Sequence, residues 1–175
     1  TYAFYGCTKA IIGFESDALP TILGSSWYSS EAAYYLNVKQ FAILGDALYV
    51  IFNDDTAVFA KYYGSATEYQ ILETAEGISV TAIGSNSFRN NTTIESVTIP
   101  DTVTQINAYA FYGCSALKSI TIPKNITAIG KSAFYNCTNV EEIAFNAISM
   151  DDLAYENYVF YNNGKNTEGI SVTIG

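Results

Sequence analysis

Apolar and polar residues alternate in short runs along the second half of the chain. Val97 and Ile99 flank Thr98, and this period of two is typical of a β-strand with one buried face. Pro100 follows directly and is expected to end the strand, because proline has no N–H to give to a neighbouring strand. The same arrangement returns at residues 119–123. The pattern therefore predicts short strands, each ended by a turn.

These strands belong to a repeat of 23 residues. Residues 94–116 and 117–139 agree at ten positions when they are aligned without a gap. A third copy starts at Ile71, and a fourth starts at Val140 and carries an insertion of three residues. Ile170–Gly175 looks like the first strand of a fifth copy. A repeat of this length indicates an array in which each copy packs on the next.

Residues 39–70 differ from the repeats and are predicted to form a β-hairpin insert or lead-in. Two apolar runs rich in strand-forming residues, Ala47–Phe52 and Ala57–Tyr63, flank the sequence NDDT. Asn and Asp favour turns because their side chains bond to the nearby backbone. The hairpin is therefore expected to interrupt the array.

The N-terminal part is predicted to hold the end of one repeat and a divergent repeat. Tyr2–Cys7 has the same sequence as Tyr109–Cys114, and Ala10–Ala32 keeps apolar residues at the repeat's buried positions. The predicted organisation is residues 1–38 for this part, 39–70 for the hairpin, and 71–175 for the 23-residue repeats with the last full copy enlarged.

A single copy cannot bury its own apolar face, so the copies are predicted to stack as the coils of a solenoid. A turn or short helix in each coil, AYAFYGC or KSAFYNC, is expected to point its phenylalanine inward onto that of the next coil. Cysteines in these turns are expected to be small buried residues. The predicted structural ladder consists of Phe88, Phe111, Phe134, Phe160, Cys114 and Cys137. Phe111→Ala should then destabilise the protein far more than Tyr2→Ala.

The pattern LxxIxIPxxVTxIGxxAFxxC, carried by Leu117–Cys137, closely resembles the BspA-type leucine-rich repeats of bacterial and protozoan surface proteins. The resemblance implies a β-rich α/β fold: a leucine-rich-repeat solenoid with a parallel sheet, interrupted by the β-hairpin segment. It also implies an extracellular or cell-surface module that binds other proteins, and it brings no catalytic residues. The chain departs from the pattern at Asn91, which replaces the cysteine, and at Gly77, which replaces the proline.

The overall charge limits the classes of partner. The 175 residues include 8 basic and 17 acidic ones, for a net charge of −9. Nucleic acids and anionic lipids are bound by clustered Lys and Arg, so no nucleic-acid partner is expected. No apolar run approaches the roughly 20 residues that cross a bilayer, so no membrane insertion is expected.

The residue types give little support for chemistry. The chain has no histidine, which removes the usual Ser-His and Cys-His pairs and the commonest zinc ligand. Adjacent carboxylates such as Asp151 and Asp152 point to opposite sides of a strand and are poor acid/base partners. The glycines form no phosphate-binding pattern. We therefore expect no enzyme activity, no metal site and no cofactor.

Residues between the buried pairs are expected to face solvent and to stack as a broad, shallow, hydroxyl-rich surface. Such a surface suits a protein or glycan partner better than a small substrate. The candidate partner-binding residues are Ser96, Thr98, Lys118, Ser119, Thr121, Glu142, Ala144 and Thr173. Beside the phenylalanine ladder, Tyr109, Tyr112 and Tyr135 either add contact area or only cover the coil edges.

The favoured hypothesis is a non-enzymatic, adhesin-like interaction module whose partner is a host matrix protein, a cell-surface protein or a glycan. One alternative is a structural spacer that displays other domains and binds nothing through its coils. Another is a carbohydrate-binding or hydrolytic unit, for which the region of the hairpin and Trp27 is the candidate. The strand edge at Ile170–Gly175 also allows end-to-end self-association.

Overall fold

The computed structural model describes residues 38–147, 157–164 and 170–175. Within these ranges the elements are short strands joined by turns. The strands are β1 (Val38–Leu44), β2 (Ala47–Phe52), β3 (Ala57–Tyr62), β4 (Glu68–Gln70), β5 (Thr74–Ala75), β6 (Ile78–Ile83), β7 (Ser96–Thr98), β8 (Gln105–Ile106), β9 (Ser119–Ile122), β10 (Ala128–Ile129), β11 (Glu142–Phe145) and β12 (Ser171–Ile174). The copies predicted in residues 1–37, with Cys7 and Trp27, lie outside the described residues.

The first sheet joins the predicted hairpin to the repeats. β1 pairs antiparallel with β2, and β2 with β3. β3 then pairs in parallel with β6, β6 with β8, and β8 with β10, while β5 adds a short antiparallel pair to β6. The register advances by one repeat each time, since Ala82 lies beside Gln105 and Gln105 beside Ala128. The hairpin is thus continuous with the sheet of the repeats, because β3 holds the place of a coil's strand.

The second sheet is parallel throughout, in the order β12, β11, β9, β7, β4. Ser96 pairs with Ser119, and Ser119 with Glu142, which are steps of one repeat. Glu142 then pairs with Ser171, a longer step that contains the enlarged copy. The predicted strands at Val97 and Ile120 are confirmed as β7 and β9, with the alternating threonines exposed.

Besides a strand in each of the two sheets, the repeats contain a segment made of turns. Four turn segments are described: residues 84–91, 107–114, 130–137 and 157–164. Backbone hydrogen bonds link each segment to the next, from Phe88 N to Ala110 O at 2.7 Å, from Phe111 N to Ala133 O at 2.7 Å and from Phe134 N to Val159 O at 2.9 Å. The side of the molecule that these segments form is called the turn side below.

The helical component of the expected class is not confirmed. AYAFYGC and KSAFYNC form turns, and no α-helix occurs in the described ranges. Each of these segments contains two residues with left-handed backbone, which stops a helix from propagating. The described fold is therefore β-rich, with parallel sheets. In the same ranges no helix is long and apolar enough to cross a membrane.

One hydrophobic core runs from the hairpin to the turn segment at residues 157–164. The predicted phenylalanine stack is present: the ring centroids of Phe88 and Phe111 are 4.8 Å apart, those of Phe111 and Phe134 4.9 Å, and those of Phe134 and Phe160 5.3 Å. Phe59 of β3 extends the stack, 5.0 Å from Phe88. The stack therefore connects the hairpin to the repeats.

Candidate partner-binding surfaces

The second sheet presents the predicted partner-binding residues in two columns that cross its strands. The first column contains Ser96, Ser119, Glu142 and Ser171, and the second contains Thr98, Thr121, Ala144 and Thr173. Thr98, Thr121, Glu142 and Thr173 are exposed, whereas Ser96, Ser119 and Ala144 are partly buried. The structure thus brings these residues together on one surface, which we call the sheet face.

Lys118 lies beside the sheet face, directly before β9. Its Nζ donates to Glu95 Oε2 at 2.7 Å, and both side chains are exposed. This hydrogen bond and the charge of Glu95 raise the pKa of Lys118. Because the negative charge of Glu95 balances the positive charge of Lys118, this lysine does not make the sheet face cationic.

The two described cysteines are structural. Cys114 and Cys137 are free thiols and are fully buried. Each thiol bonds to a carbonyl of the preceding coil, Cys114 Sγ to Phe88 O at 3.1 Å and Cys137 Sγ to Phe111 O at 3.2 Å. Burial raises the pKa of Cys114 well above its usual value and that of Cys137 to about 12. Neither thiol is therefore a reactive nucleophile at neutral pH.

A column of stacked tyrosines runs along the turn side. The rings of Tyr112 and Tyr135 are 5.1 Å apart at an interplanar angle of 4°, and those of Tyr135 and Tyr161 are 5.2 Å apart at 22°. Tyr109 meets Tyr112 edge-on, and Tyr158 meets Tyr161 in the same way. We call these five residues the tyrosine stripe. Tyr161 is 52% exposed and Tyr158 is 42% exposed, so the stripe reaches solvent.

Arg89 occupies one end of the tyrosine stripe. Its guanidinium carbon lies 4.8 Å from the ring centroid of Tyr112 and 5.4 Å from that of Tyr109. Such cation–π contacts hold the guanidinium against the rings. Arg89 Nη1 also donates to Asn86 Oδ1 at 3.0 Å. The side chain is thus held in place while the residue remains exposed.

Lys61 of β3 approaches the same point from the hairpin. Its Nζ donates to the backbone oxygen of Asn86 at 3.0 Å. Burial lowers the pKa of Lys61, the neighbouring Cys114 opposes that shift, and the positive charge of Arg89 lowers it further. Asn86 therefore holds two cations close together at one end of the tyrosine stripe.

The sequence reasoning found part of the turn side. It identified Tyr109, Tyr112 and Tyr135 but did not identify Arg89 or Lys61 as their neighbours. Arg89 occupies the position that Tyr112 holds one copy later, so the repeat alignment carries that signal. Lys61 has no such signal, because only the fold brings the hairpin beside Asn86. Among the described residues, no group of three or more metal-ligating side chains could hold an ion.

Comparison with known sequence families shows which family these repeats belong to. A profile of the BspA type leucine rich repeat region matches residues 67–172 in six copies. The chain belongs to the BspA-type leucine-rich repeat family. The resemblance seen in the sequence is thereby confirmed over more than half of the chain. A search of functionally curated proteins returned no match.

Solved structures agree with this BspA-type assignment. A leucine-rich repeat protein from Bacteroides capillosus is 26% identical, with a TM-score of 0.63, and the match covers 77% of this chain and 98% of that one. A leucine-rich repeat protein from Eubacterium ventriosum is 29% identical, with a TM-score of 0.55, over 65% of this chain and 30% of that one.

A more distant structure shares the fold alone. It is a leucine rich cell surface protein from Faecalibacterium prausnitzii, which is 19% identical with a TM-score of 0.50. The match covers 80% of the BspA-type chain and 41% of the other protein.

Proposed function

We propose that the protein is a non-enzymatic interaction module of solenoid form, secreted or displayed at a cell surface, that binds a partner protein through the sheet face. The observation that carries this proposal is the regular surface made by β7, β9, β11 and β12, on which polar side chains line up from strand to strand, with Thr98, Thr121 and Glu142 among those exposed. Extended surfaces of stacked repeats are commonly used for binding.

The chemistry of the sheet face supports a macromolecular partner over a small substrate. Thr98, Thr121 and Thr173 are short and exposed, so they leave a shallow surface without the concave shape that small-molecule sites need. Stable protein interfaces bury about 800 Å² on each partner, which requires a surface that spans several strands. The columns of the sheet face cross four strands, β7, β9, β11 and β12.

Family membership supports the location and the class of partner. The Faecalibacterium prausnitzii protein is named a leucine rich cell surface protein, which is consistent with display of this fold outside the cell. We extend this to an adhesin-like role, with a host matrix protein or a cell-surface protein as the partner. Glycans are the second class of partner that the hydroxyl-rich sheet face suits.

The test is binding of the purified chain to an array of extracellular matrix proteins and glycans, compared with the double variant Thr98→Arg/Thr121→Arg. Two arginines on the sheet face should abolish binding, because long charged side chains would hold the partner away. The control is Thr74→Arg/Thr127→Arg, which makes the same change at exposed threonines outside the sheet face. Equal binding by all three proteins would rule out the sheet face, and no binding by the wild type would favour the spacer alternative.

Edge strand β12 supports the expectation of end-to-end self-association. Among the described strands, β12 pairs only with β11, and Val172 and Ile174 are 58% and 81% exposed. A strand edge that has no partner is a template for pairing with another chain. Val172→Lys should then lower the molar mass measured by sedimentation at high protein concentration. A concentration-independent monomer in the wild type would exclude this association.

A further inference from the structure

The turn side differs in charge from the rest of the molecule. The four turn segments contain no Asp or Glu, although the chain as a whole carries a net charge of −9. The same segments contribute Arg89 and Lys131, both exposed. The four turn segments therefore carry two positive charges and no carboxylate.

The cations of the turn side also differ from the other cations in their partners. Elsewhere in the described residues, Lys39 pairs with Asp55, Lys118 with Glu95 and Lys124 with Asp101. In those same residues, no ion pair with a carboxylate is found for Lys61, Arg89 or Lys131. Lys61 and Arg89 are instead held by the oxygens of Asn86. Their positive charges therefore remain available to an external anionic group.

The tyrosine stripe has the composition and rigidity of a protein-binding surface. Protein interfaces are enriched in Tyr and Arg and depleted in Asp, Glu and Lys. Tyrosine supplies rigid contact area that is both apolar and polar, at a low cost in conformational entropy. Here the rings are already ordered by one another, with Tyr112 stacked on Tyr135 and Tyr135 on Tyr161. Little further ordering is needed when a partner binds.

We propose that the tyrosine stripe and Arg89, with Lys61 beside it, form a second binding surface that takes an acidic segment of a partner protein. The inference rests on the proposed function in one respect, that the protein is an interaction module. It places the contact on the turn side, where the cations lie, and it specifies the charge of the partner.

The ring geometry favours a polypeptide over a sugar chain. Sugars bind tyrosine by stacking on an exposed ring face, but Tyr135 has Tyr112 on one face and Tyr161 on the other. Tyr112 likewise lies between Arg89 and Tyr135. The inner rings therefore offer edges and hydroxyls, which can donate to carboxylate and backbone oxygens. Arg89 can add a charge-assisted hydrogen bond to an Asp or Glu side chain.

The test is selection of random displayed peptides on the wild-type chain, followed by affinity measurement on variants. We expect the selected peptides to be rich in Asp and Glu. Their affinity should fall by about tenfold or more in Arg89→Gln and in Tyr161→Ala, the scale of a hot-spot residue. Lys124→Gln is the matched control, since it removes one exposed positive charge away from the turn side, and it should bind like the wild type.

Other outcomes would overturn the inference. Peptides without acidic enrichment, or an equal loss in Lys124→Gln, would show that the turn side makes no specific contact. Acidic glycans on the array that lose binding in Arg89→Gln, with no peptide selected, would assign the surface to sugars instead. Both variants change exposed residues, and matching thermal unfolding curves would show that they are folded. Array binding that is lost only in Thr98→Arg/Thr121→Arg would retain the proposed function and reject this second surface.

Discussion

At the scale of single residues, each turn depends on two positions with left-handed backbone. The second position is held by Asn90, Gly113, Asn136 and Asn162, with φ between 57° and 69°. Only Gly, Asn and Asp adopt this conformation routinely. The first position includes Tyr109 and Tyr158, for which the strain must be offset by the hydrogen bonds between coils. The first position thus tolerates a bulky residue such as tyrosine, whereas the second position holds only Asn or Gly in the described turns.

Gly113 tests this account of the turns. Gly113→Ala should lower the free energy of unfolding by about 1–2 kcal/mol, because φ is +69° and alanine is strained there. Gly113→Asn should cost clearly less, since Asn136 and Asn162 already occupy the same position in later coils and bond to each other at 2.5 Å. Urea denaturation measures both. Equal losses for Ala and Asn would contradict the proposed role of the backbone.

The buried thiols give a prediction for alkaline pH. Free thiols in the unfolded chain have a pKa of about 8.5, whereas burial raises the pKa of Cys137 to about 12 and that of Cys114 well above its usual value. Between those values the unfolded chain binds fewer protons than the folded one, so stability falls as pH rises. Below the unfolded pKa both states hold the thiol proton, and no such loss occurs.

The measurement is the free energy of unfolding at neutral pH and near pH 10 for the wild type and for Cys114→Ala/Cys137→Ala. The free energy of unfolding of the wild type should fall between neutral pH and pH 10, and that of the variant should fall by a smaller amount. Tyrosines also titrate at high pH, but they are the same in both proteins. An identical pH dependence in the two proteins would show that the thiols do not contribute.

At the scale of elements, local pattern predicted the strands that bury one face. Val97, Thr98 and Ile99 alternate and end at a proline, and β7 lies there. The strands β8 and β10 are only two residues long, too short for an alternation to be recognised. Their residues Ile106 and Ile129 are nevertheless buried. The periodicity therefore found the strands of the second sheet but not the parallel pairings of β8 and β10.

The docking of the hairpin could not be predicted from the sequence. Ala47–Phe52 and β3 were expected to pair around NDDT, and they do. Nothing local shows that β3 also pairs with β6, or that Phe59 stacks on Phe88, since both contacts join segments far apart in the chain. The candidate binding surfaces divide in the same way: the repeat period indicates the columns of the sheet face, whereas Lys61 reaches the turn side only through the fold.

Phe59 tests whether the hairpin is part of the core. Its ring is fully buried and lies 5.0 Å from that of Phe88. Phe59→Ala should cost about 3–5 kcal/mol of stability, as for a phenylalanine inside a core. Phe52→Ala is the control, because Phe52 is only partly buried and packs against a small separate cluster. Similar losses in chemical denaturation would mean that the hairpin is not held by the phenylalanine stack.

At the scale of the whole molecule, the stack of coils separates two surfaces of different chemistry. The sheet face carries hydroxyls and the carboxylate of Glu142, whereas the turn side carries tyrosines and cations without carboxylates. Both surfaces depend on the same core, because each strand and each turn segment is positioned by the coil before it. The two proposed contacts can therefore be tested independently by exposed substitutions, but not by core substitutions.

The central claim is that the hairpin and the repeats form one cooperative structure around the phenylalanine stack. Phe111 is fully buried, with Phe88 at 4.8 Å and Phe134 at 4.9 Å, so Phe111→Ala should cost about 3–5 kcal/mol. The decisive measurement is amide hydrogen exchange in the wild type and in Phe111→Ala, followed in β2 and β3 and in β9 and β11. We predict that protection falls by the same free energy in both regions. A hairpin that keeps its wild-type protection while the repeats lose theirs would contradict the account.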